Sequence, residues 1–196
     1  MVTLRSMPTP PGVDDLTGLA LAAGRGDRSA LEGFVRGTQR DLWRMVAHFA
    51  GPGLADDLTQ ETYLRALPSL PSFGARSSAR TWLMSITRRV VVDHIRRVTS
   101  RPRTTGAVDW TQAADRRQAD SHEVMAGFED IVEINVLLDG LMPERKEALV
   151  LTQVLGMTYE DAADVCGVPV GTIRSRVARG RQDLLEADES REHGTG

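Results

Sequence analysis

Five side chains in one short stretch, Thr172, Arg174, Ser175, Arg176 and Arg179, are of the types that grip nucleic acid. At about 100° per residue, Thr172, Ser175 and Arg179 share one side of a helix, flanked by Arg174 and Arg176. Positions 169 to 181 carry four arginines and no acid. A guanidinium is a planar fork that meets a guanine edge or a phosphate through two hydrogen bonds. The chemistry on offer is recognition of a polyanion. Bond-making groups are not gathered in the sequence. His48, His94, His122 and His193 are scattered, and none stands at a metal-ligand spacing from Cys166 or from acids. No glycine-rich phosphate loop and no nucleophile elbow occurs. The pattern points away from an enzyme and predicts neither a cofactor nor a metal.

The arginine side needs a helix held at a fixed angle, and the sequence from Met157 to Arg181 supplies the elements. Thr158 is an N-cap type, with Asp161 three residues on. Tyr159, Ala162, Ala163 and Cys166 recur at helical spacing and form one apolar side. Gly167 can take the left-handed conformation that ends a helix, and Pro169 suits the first turn of the next. In that second helix Val170, Ile173, Val177 and Leu184 face inward, opposite the arginines. A short helix, a glycine turn and a basic second helix make a helix-turn-helix, which lays its second helix in the major groove. Two short helices with a solvated arginine side also occur in ordinary helical domains. The tight turn and the acid-free second helix favour DNA.

Two further constellations lie upstream. The helix expected from Ala79 to Val98 turns Trp82, Leu83, Ile86 and Val90 inward and Ser85, Arg88, Arg89 and Arg96 outward. It follows a small polar loop, Phe73 to Ser78, that includes Arg76 and Ser77. Cations interleaved with an aromatic suit single-stranded nucleic acid, although Trp82 also fits a core position. The helix before it, Leu54 to Leu67, has an inward arc of Ala55, Leu58, Thr62, Tyr63 and Ala66. Asp57, Gln60, Glu61 and Leu64 make a second, outward arc. A leucine ringed by acids and an amide is compatible with a protein-docking surface and equally with a plain solvated side.

The whole chain has 196 residues and a net charge of −3, so it is no uniformly basic nucleic-acid binder. Charge is instead blocked. Residues 76 to 103 hold eight arginines and one acid, and residues 104 to 133 hold seven acids and two arginines. Aromatics are only 5%, and Ala, Leu and Val dominate the apolar set, which favours helices. The single cysteine cannot form an internal disulfide, and its place on an apolar helix side reads as a small buried hydrophobe. No apolar stretch approaches a membrane span, and the N-terminus lacks a signal-peptide core. These features predict a cytoplasmic chain. The periodicities predict an all-α protein of two small helical domains. Residues 1–13 are expected to be disordered, 14–98 to form the first domain, 99–127 a flexible linker, 128–187 the second domain, and 188–196 a disordered tail.

Taken together, three segments resemble the extracytoplasmic-function (group IV) sigma factors of bacterial RNA polymerase. They are DDLTQETYLRAL at 56–67, SSARTWLMSITRRVVVDHIRR at 77–97, and LMPERKEALVLTQVLGMTYEDAADVCGVPVGTIRSRVARGR at 141–181. The resemblance covers about residues 14 to 187. It implies that the chain binds core polymerase, recognises −35 and −10 promoter elements and helps melt the −10 region. It implies docking of Asp57, Gln60, Glu61 and Leu64 on the β′ clamp helices. It implies contact of Phe73, Arg76, Ser77, Ser78, Trp82, Arg88, Arg89 and Arg96 with the single-stranded −10 element. The family often carries asparagine where Arg89 stands, and an added cation there fits a phosphate better than a base. The resemblance further implies reading of duplex −35 DNA by Thr172, Arg174, Ser175, Arg176 and Arg179, and a second surface of this module on the β flap. The acidic linker segment Asp109 to Asp120 could mimic RNA. A cognate anti-sigma factor stays an open question, and no membrane contact is implied. A conventional regulator with a similar helix-turn-helix is the rival class. It would need a dimer face or a receiver domain, and residues 14 to 98 show no alternating strands. A nucleotide or RNA-processing enzyme has only the basic block in its favour.

Overall fold

The computed structural model describes residues 13–100 and 128–193, and among these every regular element is helical. The expected linker and the acidic segment Asp109 to Asp120 lie outside the described residues. Eight α-helices are described: α1 Val13–Gly24, α2 Arg28–Ala50, α3 Ala55–Ala66, α4 Ala79–Ser100, α5 Phe128–Leu138, α6 Pro143–Leu149, α7 Tyr159–Cys166 and α8 Val170–His193. None is long and apolar enough to cross a membrane.

Local chemistry sets the boundaries. Asp27 caps α2 by accepting from the Ala30 N–H at 3.0 Å, and Gly51 ends it at φ 88°. The two prolines after α3 do not make a simple turn. Leu67–Ser72 winds as a 3₁₀ helix, which tolerates Pro68 in its first turn. Beyond α6 the chain widens into a π turn, Val150–Val154, where the Leu155 N–H reaches back five residues to the Val150 carbonyl. α8 runs to His193, past the expected end of regular structure at 187. No proline interrupts it, and Leu, Glu, Ala, Arg and Gln, all good helix formers, dominate its second half.

The N-terminal unit packs α1 to α4 around Phe34, Leu42, Met45, Leu83 and Met84, all fully buried. The C-terminal unit packs α5 to α8 around Leu149, Val150, Leu151, Ile173 and Val177. Gly180 lets α8 cross close over α6, since a Cβ there would meet Leu149 Cδ1 at 2.8 Å. The two units are not separate bodies. One apolar cluster runs through both, and a second joins Ile131 of α5 to Val46, Ala47, Leu58, Val90 and Val91. The all-α fold of two small helical domains is as the sequence predicted; beyond it, each domain leaves an apolar face, and the two faces are buried against each other.

Candidate nucleic-acid interface

The helix-turn-helix is built as its residues dictate. Thr158 Oγ1 accepts from the Asp161 N–H at 3.0 Å and starts α7. Gly167 ends it in the left-handed region, φ 66° and ψ 38°, and its N–H closes on the Ala163 and Asp164 carbonyls. Pro169 begins the turn into α8, whose first N–H groups bond back to the Pro169 carbonyl. Ile173 and Val177 are buried, which is worth about 1.5–3 kcal/mol for each side chain and fixes the rotation of α8. That rotation leaves Arg174, Ser175 and Arg179 exposed, with Thr172 and Arg176 half-buried beside them. The Arg174 guanidinium reaches within 3.8 Å of Glu160, a solvated pair that holds it weakly. Two stronger contacts brace the helix from behind: Arg145 bonds both oxygens of Asp183, and Arg181 donates to Gln153 Oε1 at 2.7 Å. Arg145, Gln153 and Asp183 had no signal in the sequence.

Cys166 sits on the inner side of α7, where burial pushes its thiol up to about 12. It is a packing residue in this setting. Among the described residues no group of three His, Cys, Asp or Glu is placed to hold a metal ion.

On α3, Ala55, Leu58, Thr62 and Ala66 are buried, while Asp57, Gln60 and Leu64 lie exposed. Leu64 is 65% exposed. Glu61 is half-buried because Arg65 holds its carboxylate at 2.9 Å while also reaching Asp93 at 3.1 Å. The outward arc is therefore a continuous polar surface with one large apolar side chain at its centre.

The loop before α4 differs from a plain polar loop. Phe73 is buried, 8% exposed, and its ring lies 5.0 Å from that of Trp82. The Phe73 ring thus packs against Trp82, which is half-buried, rather than standing free in the loop. Ala75 adopts φ 49°, a strained left-handed conformation for a residue with a Cβ. Arg76 is exposed, and Ser77 and Ser78 are half-buried. Ser78 Oγ accepts from the Thr81 N–H at 3.1 Å and so caps α4. Arg89 and Arg96 are exposed on α4.

Arg88 is placed differently. Its Nε and Nη2 donate to the two carboxylate oxygens of Glu147 on α6, at 2.6 and 3.1 Å. That bond raises the guanidinium's already high proton affinity. It is one of several polar links across the seam between the units. Arg80 donates to the Leu155 carbonyl at 2.6 Å while held by Asp41, and Thr81 donates to Asp161 Oδ1 at 2.7 Å. Sequence reasoning missed Arg80, Thr81 and Glu147, and the tie of Asp161 to Thr81, because the partners lie 59 to 80 residues apart. The C-terminal unit thus presents two carboxylates and a carbonyl oxygen to this side of α4. All three are acceptors, as phosphate oxygens are.

Comparison with known proteins matches this geometry. Residues 34–101 match the family model for Sigma-70 region 2, and residues 131–184 match that for Sigma-70, region 4. The chain is 54% identical to the ECF RNA polymerase sigma factor SigC of Mycobacterium tuberculosis, over 92% of this chain and 95% of that one. It is 32% identical to the ECF RNA polymerase sigma factor SigX of Bacillus subtilis, over 74% of this chain and 76% of the other. Among solved structures, the sigma factor RpoE of Bartonella quintana, in complex with the anti-sigma factor NepR, aligns with a TM-score of 0.60 and 28% identity. That alignment covers 81% of this chain and 98% of RpoE. CnrH, solved with the cytosolic domain of CnrY, shares the fold at a TM-score of 0.67 and 23% identity, over 91% and 99% of the two chains. The chain belongs to the extracytoplasmic-function sigma factors of the sigma-70 family, non-enzymatic proteins that bind core RNA polymerase and direct it to initiate transcription at promoters.

Proposed function

We propose that three surfaces of this chain divide the work of initiation. The arc of Asp57, Gln60, Glu61 and Leu64 docks on the β′ clamp helices of core polymerase. The loop carrying Arg76, Ser77 and Ser78, with Trp82, Arg88, Arg89 and Arg96 of α4, holds the melted −10 strand, and Phe73 supports Trp82 from below. Thr172, Arg174, Ser175, Arg176 and Arg179 read the −35 duplex. The domain limits follow the same division, with residues 14–98 as the core-docking and −10 unit and 128–187 as the −35 unit.

The observation that carries this reading is the rotation of α8. Buried Ile173 and Val177 turn an acid-free arginine side outward, behind a glycine turn of helix-turn-helix form. Each contact alone is small. Core polymerase would hold both units at the promoter spacing, and the second contact then forms at high effective concentration. Base capture at −10 costs a few kcal/mol of unstacking, which contacts in the pocket offset. A protein that works on promoters would act in the cytoplasm. Two solved relatives of this fold were captured with an anti-sigma factor or a cytosolic partner domain, which supports a similar regulator here.

Glu61→Lys tests the docking assignment. It should weaken binding to core polymerase about tenfold or more and leave duplex −35 binding unchanged. Unaltered core affinity would refute it.

A further inference from the structure

Most links across the seam join guanidinium groups, a hydroxyl, carboxylates and a backbone carbonyl. One is different. His48, at the end of α2, is 1% exposed. Its Nδ1 lies 2.9 Å from Asn135 Oδ1 of α5. Asn135 also donates through Nδ2 to the Ala47 carbonyl at 3.1 Å, which turns Oδ1 toward the ring. Nδ1 must therefore carry the hydrogen, and Nε2 keeps a lone pair. Nε2 is buried without a hydrogen-bond partner. The charged groups that bear on the ring are Arg44, from its own helix, and Lys146, from α6, both positive. Lys146 is itself paired with Asp139 at 2.8 Å, beyond the end of α5. Burial, the largest influence, and these two cations hold the ring's pKa below its usual 6.5, against the opposing pull of the Asn135 bond.

We propose that the seam is a proton-sensitive latch, closed while the His48 imidazole is neutral and parted when Nε2 takes a proton. A proton on Nε2 creates a buried cationic donor with no acceptor, beside two like charges. Lifting α5 from α2 lets water reach the ring and relieves both penalties. The protonated ring thus belongs to the parted arrangement. The direction follows from linkage. Above the ordinary histidine value of about 6.5 the ring is neutral in both arrangements, and the latch holds fully. As pH falls below that value the closed-to-parted ratio drops, by at most about tenfold per unit. It levels once the ring also protonates in the closed form. Parting would free Arg80, Thr81 and Arg88 from Leu155, Asp161 and Glu147. The latch itself stands independently of the promoter reading; only what it uncovers rests on that reading.

The test uses the full chain with Cys166→Ala, and with Arg36→Cys on α2 and Asp188→Cys on α8 to carry a donor and an acceptor dye. Energy transfer is followed from pH 7.5 to 5.5, with far-UV circular dichroism recorded alongside. Transfer should fall as pH passes below about 6.5 while the helical signal holds. His48→Gln should abolish the fall. Asn135→Asp, which sets a carboxylate beside the ring, should reverse it and hold the seam more firmly in acid. Constant transfer without substitution at His48, an equal fall in His48→Gln, an unreversed fall in Asn135→Asp, or a fall that tracks helix loss would each overturn the proposal.

Discussion

Arg88 and Glu147 face each other across the two units in a two-point ion pair, Nε to Oε1 at 2.6 Å and Nη2 to Oε2 at 3.1 Å. One partner lies on the helix proposed to hold the −10 strand. The other lies on the unit that reads −35. A charge-assisted pair of this form is worth about 1.5–3 kcal/mol when partly shielded from water. The Arg88 guanidinium is therefore already occupied when the units are closed.

Glu147→Gln should loosen that occupation. Binding of the full chain to a single-stranded −10 oligonucleotide, followed by fluorescence anisotropy, should tighten about fivefold, close to 1 kcal/mol. Arg88→Ala should weaken the same binding. Unchanged affinity in Glu147→Gln would show that Glu147 does not compete with the strand.

Arg176→Ala and Arg179→Ala address the −35 surface. If either guanidinium reads a base edge, the loss should be about 1–3 kcal/mol and confined to the matched sequence. Titration against a panel of −35 duplexes separates the outcomes. An equal loss on every duplex would mark a phosphate contact, and no loss would remove that residue from the interface.

Gly167→Ala probes the turn that aims α8. The added Cβ meets nothing within 4 Å, so its cost comes from the left-handed backbone alone, about 1–2 kcal/mol. The thermal midpoint should drop by several degrees, with −35 affinity weakened in parallel if the turn relaxes. An unchanged midpoint would show that the turn adapts freely.

These tests differ in how visible their residues were beforehand. Thr158 and Gly167 act within four residues of themselves, as a cap and a turn, and the sequence alone placed both. The apolar spacing of Leu58, Thr62 and Ala66, or of Ile173 and Val177, fixed which helix side is buried and hence which side carries Leu64 or Arg179. What stayed hidden is tertiary. Nothing local to Arg88 announces Glu147, and nothing near His48 announces Asn135. Phe73 stood in a polar loop, and only the tertiary packing that draws it into the apolar cluster beside Trp82 explains its burial. The continuation of α8 to His193 was missed because a charged, polar stretch reads as a tail. It is equally a stretch of good helix formers.

The account stands or falls on initiation. Run-off transcription with core polymerase, the full chain and a library of promoter fragments measures it directly. The account predicts transcripts that start at a small set of promoters sharing −35 and −10 elements, abolished by Glu61→Lys and weakened by Arg179→Ala. Core polymerase that starts no specific transcript in the presence of this chain, on any fragment of its own genome, would contradict it.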